Sequence, residues 1–97
     1  MAQRIIWTYR AEIVFSDILL YYYKRNGNKT YSNKLHKEIQ QILNFLKKHP
    51  FLGKVTENEE IRVLIKSNFK IFYKTESDTI IILLVWDCRQ NPEGLKI

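Results

Sequence analysis

Ile80-Ile81-Ile82-Leu83-Leu84-Val85-Trp86 is an unbroken apolar run that meets Asp87-Cys88-Arg89 at once and a proline, Pro92, soon after. A run of this length, bounded by charge and a breaker, reads as a strand buried on both faces inside a sheet. It is far too short to cross a bilayer. The rest of the chain must therefore supply cover for it, and its charged end holds Arg89 rigidly at the surface.

The first half of the chain supplies that cover. Arg4-Ile5-Ile6-Trp7 reads as a short strand and Thr8 as an N-cap. From Tyr9 to Arg25, Ala11, Val14, Phe15, Ile18 and Tyr22 recur at helical spacing, and Asn26-Gly27-Asn28 stops the helix with Gly27 at the left-handed position. Tyr31, Leu35, Ile39, Ile42, Leu43 and Leu46 form the stripe of a second helix, which ends in Lys47-Lys48-His49 before Pro50. Two amphipathic helices joined by a short turn make a hairpin whose apolar faces need a common surface.

That surface comes from Ile61 to Ile65, Phe69 to Tyr73 and Ile80 to Trp86, three strand-like runs. Phe51 to Glu60 reads as a loop with at most a short extended piece. A three-residue first loop sets Ile65 opposite Phe69 and Ile61 opposite Tyr73, and a four-residue second loop sets Tyr73 opposite Ile80. A two-residue loop at Ser67-Asn68 would mix lysines with isoleucines, which argues for the longer one. In this register Leu84 and Trp86 face the helices, while Arg62, Leu64, Lys70, Phe72, Lys74, Asp87 and Arg89 share the open face. The expectation is one α+β domain over residues 1–97. Its order is strand-helix-helix-strand-strand-strand, with the hairpin on one face of a mainly antiparallel twisted sheet.

Ninety-seven residues hold one modest core and no deep interdomain cleft, so function sits on a shallow face or depends on a partner. The formal charge of +6 favours an anionic partner. Cys88 is the only cysteine, which rules out an intramolecular disulfide and a cysteine-rich metal site and fits a reducing cytoplasm. No apolar leader follows Met1, so neither secretion nor membrane insertion is expected. No catalytic triad, phosphate loop, metal site or cofactor motif stands out, and His36 and His49 read as surface residues of the second helix.

On the open face, Arg62, Lys70, Lys74 and Arg89 surround Phe72, a pattern that suits a phosphate backbone with stacked bases; Lys66 flanks it. Arginine can clamp a phosphate and stabilise charge developing during phosphodiester cleavage. The competing reading is a solvated face, with Arg89 paired to Asp87 or Glu93 and Arg62 to Glu59 or Glu60.

Ala11, Leu46-Lys47-Lys48-His49-Pro50-Phe51-Leu52-Gly53, Ile61-Arg62-Val63-Leu64, Phe69-Lys70-Ile71-Phe72-Tyr73 and Val85 to Pro92, taken in this order, resemble the RelE/ParE superfamily of toxins from bacterial type II toxin-antitoxin systems. The resemblance spans essentially the whole chain. It implies a cytoplasmic, plasmid-stabilising toxin neutralised by an acidic antitoxin that wraps around it. RelE-like members cleave mRNA in the ribosomal A site, whereas ParE-like members inhibit DNA gyrase. Carried over to this sequence, the ribonuclease branch gives Arg62 and Arg89 catalytic roles at the scissile phosphate; Lys66, Lys70, Phe72 and Lys74, read from the basic face, are the candidates for holding RNA. That branch commonly ends with a Tyr or His as general acid or base, whereas Gln90-Asn91-Pro92-Glu93-Gly94-Leu95-Lys96-Ile97 follows Arg89 here. The Arg-Gln-Asn-Pro ending looks closer to the ParE-like side, and a non-toxic basic binding module is the third reading.

Overall fold

The computed structural model of the chain describes residues 4–89. The elements run β1 (Arg4–Trp7), α1 (Tyr9–Asn26), α2 (Thr30–Lys48), β2 (Lys54–Val55), β3 (Arg62–Lys66), β4 (Phe69–Glu76) and β5 (Thr79–Asp87). Thr8 and Gly27 bound α1 as their chemistry requires. The Thr8 side chain accepts a hydrogen bond from the Ala11 amide, and Gly27 sits at φ 74° with its N–H bonded to the Tyr23 carbonyl. The sheet order is β1-β5-β4-β3-β2, so the apolar run of β5 is an interior strand. It pairs antiparallel with β4 and parallel with β1, and the sheet is mixed.

One face of the sheet carries the helical hairpin. Ala11, Phe15, Ile18 and Tyr22 of α1 and Leu35, Ile39, Leu43 and Leu46 of α2 bury against Ile71, Tyr73, Ile80, Ile82 and Val85. Burying each large apolar side chain contributes roughly 1.5–3 kcal/mol against the entropy of ordering the chain.

The strand registers differ from the sequence expectation. Both hairpins close with two-residue turns, Lys66 opposite Phe69 and Glu76 opposite Thr79, rather than with the expected three- and four-residue loops. Ser67 and Ser77, first in their turns, each adopt φ 55°, the positive value that lets a two-residue turn match the strand twist. The mixing that argued against the short loop is present. Ile65 lies opposite Lys70, and Ile81 lies opposite Lys74. It is tolerated because the second face is not purely polar: Phe72 is 6% and Leu84 0% exposed, and lysine stems lie along such surface while their ammonium groups reach water.

A bulge opposite Phe72 and Tyr73 then shifts β5 by one residue. Phe72 pairs with Leu84 and Tyr73 with Ile82, leaving Leu83 over. Beyond this point the faces exchange, so Val85 and Asp87 take the helix side that Leu84 and Trp86 were expected to occupy. Thr8 holds the bulge as well as the helix, since its hydroxyl lies 3.4 Å from the Leu83 carbonyl oxygen and its amide donates to the Ile82 carbonyl. Thr8→Ala is expected to destabilise the protein by about 1 kcal/mol in urea unfolding, the usual cost of losing an N-cap. An unchanged midpoint would show that the cap is redundant.

Candidate functional site

The corrected registers divide the expected cationic face. Opposed residues share a face, so Lys70, Phe72 and Lys74 remain together, joined by Val63, Leu84 and Trp86. Arg62, opposite Tyr73, and Lys66, opposite Phe69, turn to the helix side. Asp87, also opposite Phe69, does the same, and it holds Arg89 there. The proposed platform is further reduced by the burial of Phe72, which leaves little ring surface for a stacked base. Lys74 is engaged with Glu76 at 3.0 Å.

Arg62 belongs to a small polar knot at the start of β2. Its Nη1 donates to the carbonyls of Gly53 at 2.7 Å and Phe51 at 3.3 Å, and its guanidinium lies 5.1 Å from the centre of the Phe51 ring. The Gly53 amide donates to the hydroxyl of Tyr73, which is fully buried. Burial pushes the Tyr73 hydroxyl above its ordinary pKa, against the smaller opposing effects of the Gly53 amide and Arg62. Tyr73, the nearest aromatic hydroxyl to the arginines in sequence, is thus a neutral anchor for a loop. The cavity beside Arg62, about 230 Å³, is lined by Glu59, Glu60 and Glu76 as well as by Arg62 and Lys74, so acids dilute the positive field a phosphate would need.

Arg89 belongs to a second knot at the opposite end of β4. Asp87, 2% exposed, accepts from Arg89 through Nε (3.1 Å), Nη2 (3.3 Å) and the backbone amide (2.9 Å), and from the Tyr22 hydroxyl. Arg89 Nη2 also donates to the Tyr31 hydroxyl at 3.0 Å. The guanidinium lies 5.0 Å from the centre of the Tyr22 ring, 5.9 Å from Tyr31 and 5.3 Å from Phe69, so three aromatic faces surround it. Of the sequence alternatives for Arg89, pairing with Asp87 is the one found, whereas Glu93 and the rest of residues 90–97 lie outside the described residues.

The charges in this knot shift one another. Burial raises the Asp87 carboxyl, but the hydrogen bonds from Arg89 and Tyr22 outweigh it and leave the pKa below the ordinary carboxylate range. Burial and then the Asp87 hydrogen bond push the Tyr22 hydroxyl far upward, and the bond to Asp87 raises Arg89 further. The site thus holds a carboxylate and a guanidinium that stabilise each other's charge, with the Tyr22 phenol kept protonated against the carboxylate.

Arg62 and Arg89 therefore do not converge. Their β4 neighbours, Tyr73 and Phe69, are four residues apart, roughly 13 Å along a strand. The histidines stand elsewhere, His36 stacked on Phe15 and His49 against Phe45. Among the described residues no cluster of metal-ligating side chains occurs, and no helix is long and apolar enough to cross a membrane. Sequence reasoning did not identify Gly53, Tyr73, Tyr22 and Tyr31 as site residues. Tyr22 and Tyr31 stood on helix stripes as core, and nothing local linked them to a strand more than fifty residues away.

Comparison with known proteins gives this geometry a family. A search of curated proteins finds no match. Among solved structures, one described as the chromosomal ParDE TA system from P. aeruginosa superposes with a TM-score of 0.68 at 19% identity, over 88% of this chain and 94% of the other, a likeness of fold. The family described as the ParE toxin of the type II toxin-antitoxin system parDE matches residues 5–92, nearly the whole sequence. With its helical hairpin on a mixed five-stranded sheet, this chain belongs to the ParE toxin family.

Proposed function

We propose that this chain is the toxin of a type II toxin-antitoxin pair, that an acidic antitoxin restrains it, and that it arrests growth by binding DNA gyrase without nuclease chemistry of its own. The observation that carries this reading is the separation of Arg62 from Arg89. Phosphodiester cleavage needs charge stabilisation and proton transfer at one phosphate, with groups held within hydrogen-bond reach of the reacting atoms. Here each arginine is committed to its own knot, and burial raises the hydroxyls of Tyr73 and Tyr22 beside them above their ordinary pKa. The family match, under the ParE description, supports the same choice. In this reading Arg62 and Arg89 shape the surface that gyrase meets, and Lys70 adds positive charge to the opposite face. The net charge of +6 suits both an acidic antitoxin and attraction to a gyrase-DNA complex.

A supercoiling assay tests the proposal. Purified protein in excess over gyrase is expected to abolish supercoiling of relaxed plasmid, and to leave mRNA intact in a translating extract. Full supercoiling at saturating protein, together with cleaved mRNA, would reverse the assignment and restore Arg62 and Arg89 as catalytic candidates. If induction caused no growth arrest at all, the chain would be a binding module only.

A further inference from the structure

Where α1 ends, α2 begins and β5 ends, a cavity of about 370 Å³ opens beside the Arg89 knot. Local geometry gathers its walls. Tyr21 and Arg25 stand one helical turn apart on the same flank of α1, and Arg25 Nη1 donates to the Tyr21 hydroxyl at 3.3 Å. Tyr22, almost fully buried, meets the Tyr21 ring nearly at right angles with centres 5.0 Å apart. Gly27 then turns the chain, and Tyr31 in the first turn of α2 comes back against Tyr22 at 4.8 Å. Asn26 and Arg89 complete the lining.

The charge lining this cavity has one sign. Two arginines face it and no acid does, whereas the cavity beside Arg62 carries three acids. Asp87 offsets the charge of Arg89 from within, yet it is 2% exposed and is not part of the lining. Arg89 Nη1 bonds to no described residue, and neither do Nε and Nη2 of Arg25. Because Asp87 and Tyr31 already hold the Arg89 guanidinium, it presents its open donor at little ordering cost. Arg25 also complements the C-terminal dipole of α1, which takes up part of its charge, so the attraction is moderate.

Two guanidinium groups from separate elements, with the Tyr31 hydroxyl and the Asn26 amide beside them, suit an anion with three acceptor oxygens better than a carboxylate with two. The space exceeds what a bare phosphate fills, and the Tyr21 ring, 45% exposed, offers an aromatic surface next to it. We infer that this cavity binds a nucleoside 5′-monophosphate, free or at the end of a strand. The phosphate takes the open donors of Arg25 and Arg89, and the base stacks on Tyr21. Neither gyrase nor an antitoxin is required for this binding.

The test uses the full chain, isotope-labelled, titrated with adenosine 5′-monophosphate and followed through arginine Nε–H and tyrosine ring resonances. Saturable shifts are expected at Arg25, Arg89 and Tyr21. Adenosine, which lacks the phosphate, and inorganic phosphate, which lacks the base, are each expected to bind at least about tenfold more weakly. Arg25→Gln is expected to weaken the nucleotide about tenfold, the scale of a lost charge-assisted hydrogen bond. Tyr21→Leu is expected to weaken it by a similar factor while leaving inorganic phosphate unchanged. A 5′-phosphorylated trinucleotide binding more tightly than the mononucleotide would assign the site to a strand end, and one binding less tightly would assign it to a free nucleotide. No saturable shift, shifts centred away from this cavity, or equal binding of the nucleotide and inorganic phosphate would each overturn the inference. The ligand comparison decides on the unaltered protein even if a variant does not fold. The titration contains no gyrase, so failure here leaves the gyrase proposal standing.

Discussion

Asp87→Ala is expected to lower the unfolding free energy by about 3 kcal/mol, measured by urea unfolding at pH 7. The substitution leaves the Tyr22 hydroxyl without an acceptor and releases three Arg89 donors at the junction of α1, α2 and β5. The upper end of the range for a broken buried ion pair does not apply, because the Arg89 side chain is 38% exposed and regains water. Tyr22→Phe removes the other half of one contact and is expected to add little in the Asp87→Ala background, since both act through the same bond. Full additivity would mean that Tyr22 and Asp87 stabilise the fold separately.

The same carboxylate sets a pH dependence whose sign follows from its shift. The pKa of Asp87 is lower in the folded state than the ordinary value near 4, so its contribution is complete above about pH 4. It is lost as the pH falls through the folded value, where protonation breaks the acceptor network. The wild type is therefore expected to lose stability steeply in acid, and Asp87→Ala to show a flatter curve over that interval. Parallel curves would remove Asp87 as the titrating group.

Gly53→Ala is the second large effect, expected at about 2 kcal/mol of destabilisation by the same measurement. A Cβ at Gly53 would meet the Tyr73 hydroxyl at 2.8 Å, Tyr73 Cε1 at 2.9 Å and the Val63 carbonyl oxygen at 2.9 Å. None of the three yields easily, since Tyr73 is fully buried and Val63 is bound into the β2 pairing. Adding Tyr73→Phe removes only the hydroxyl clash and is expected to recover part of the loss, while also giving up the bond to the residue 53 amide. A Gly53→Ala protein with wild-type stability would show that the loop moves freely.

Much of the fold was legible because it is carried by local signals. Thr8, Gly27 and Pro50 bracket the two helices, and stripes such as Ala11-Phe15-Ile18-Tyr22 point to the core face found in the structure. The order of elements and the interior position of β5 also followed. What failed was strand register. The face assignment assumed that only one side of the sheet is apolar, whereas Phe72 and Leu84 bury the other side as well, so hydrophobic patterning could not choose between loops of two and three residues.

The bulge at Leu83 then exchanged the faces of β5 beyond it, and no residue type announces a bulge. That exchange is why Asp87 and Arg89 join the helices instead of Lys70 and Lys74. The grouping of the candidate residues depended on that parity. The stabilising partners, Tyr22 with Asp87 and Gly53 with Tyr73, are separated by 65 and 20 residues and become visible only in three dimensions.

A chain whose two arginines sit in separate structural knots is expected to stop growth through gyrase rather than through mRNA. Pulse labelling after induction tests it most directly, with thymidine and methionine incorporation followed in the same culture. DNA synthesis is expected to stop first, with protein synthesis continuing until later. Protein synthesis stopping first, with DNA synthesis intact, would contradict it.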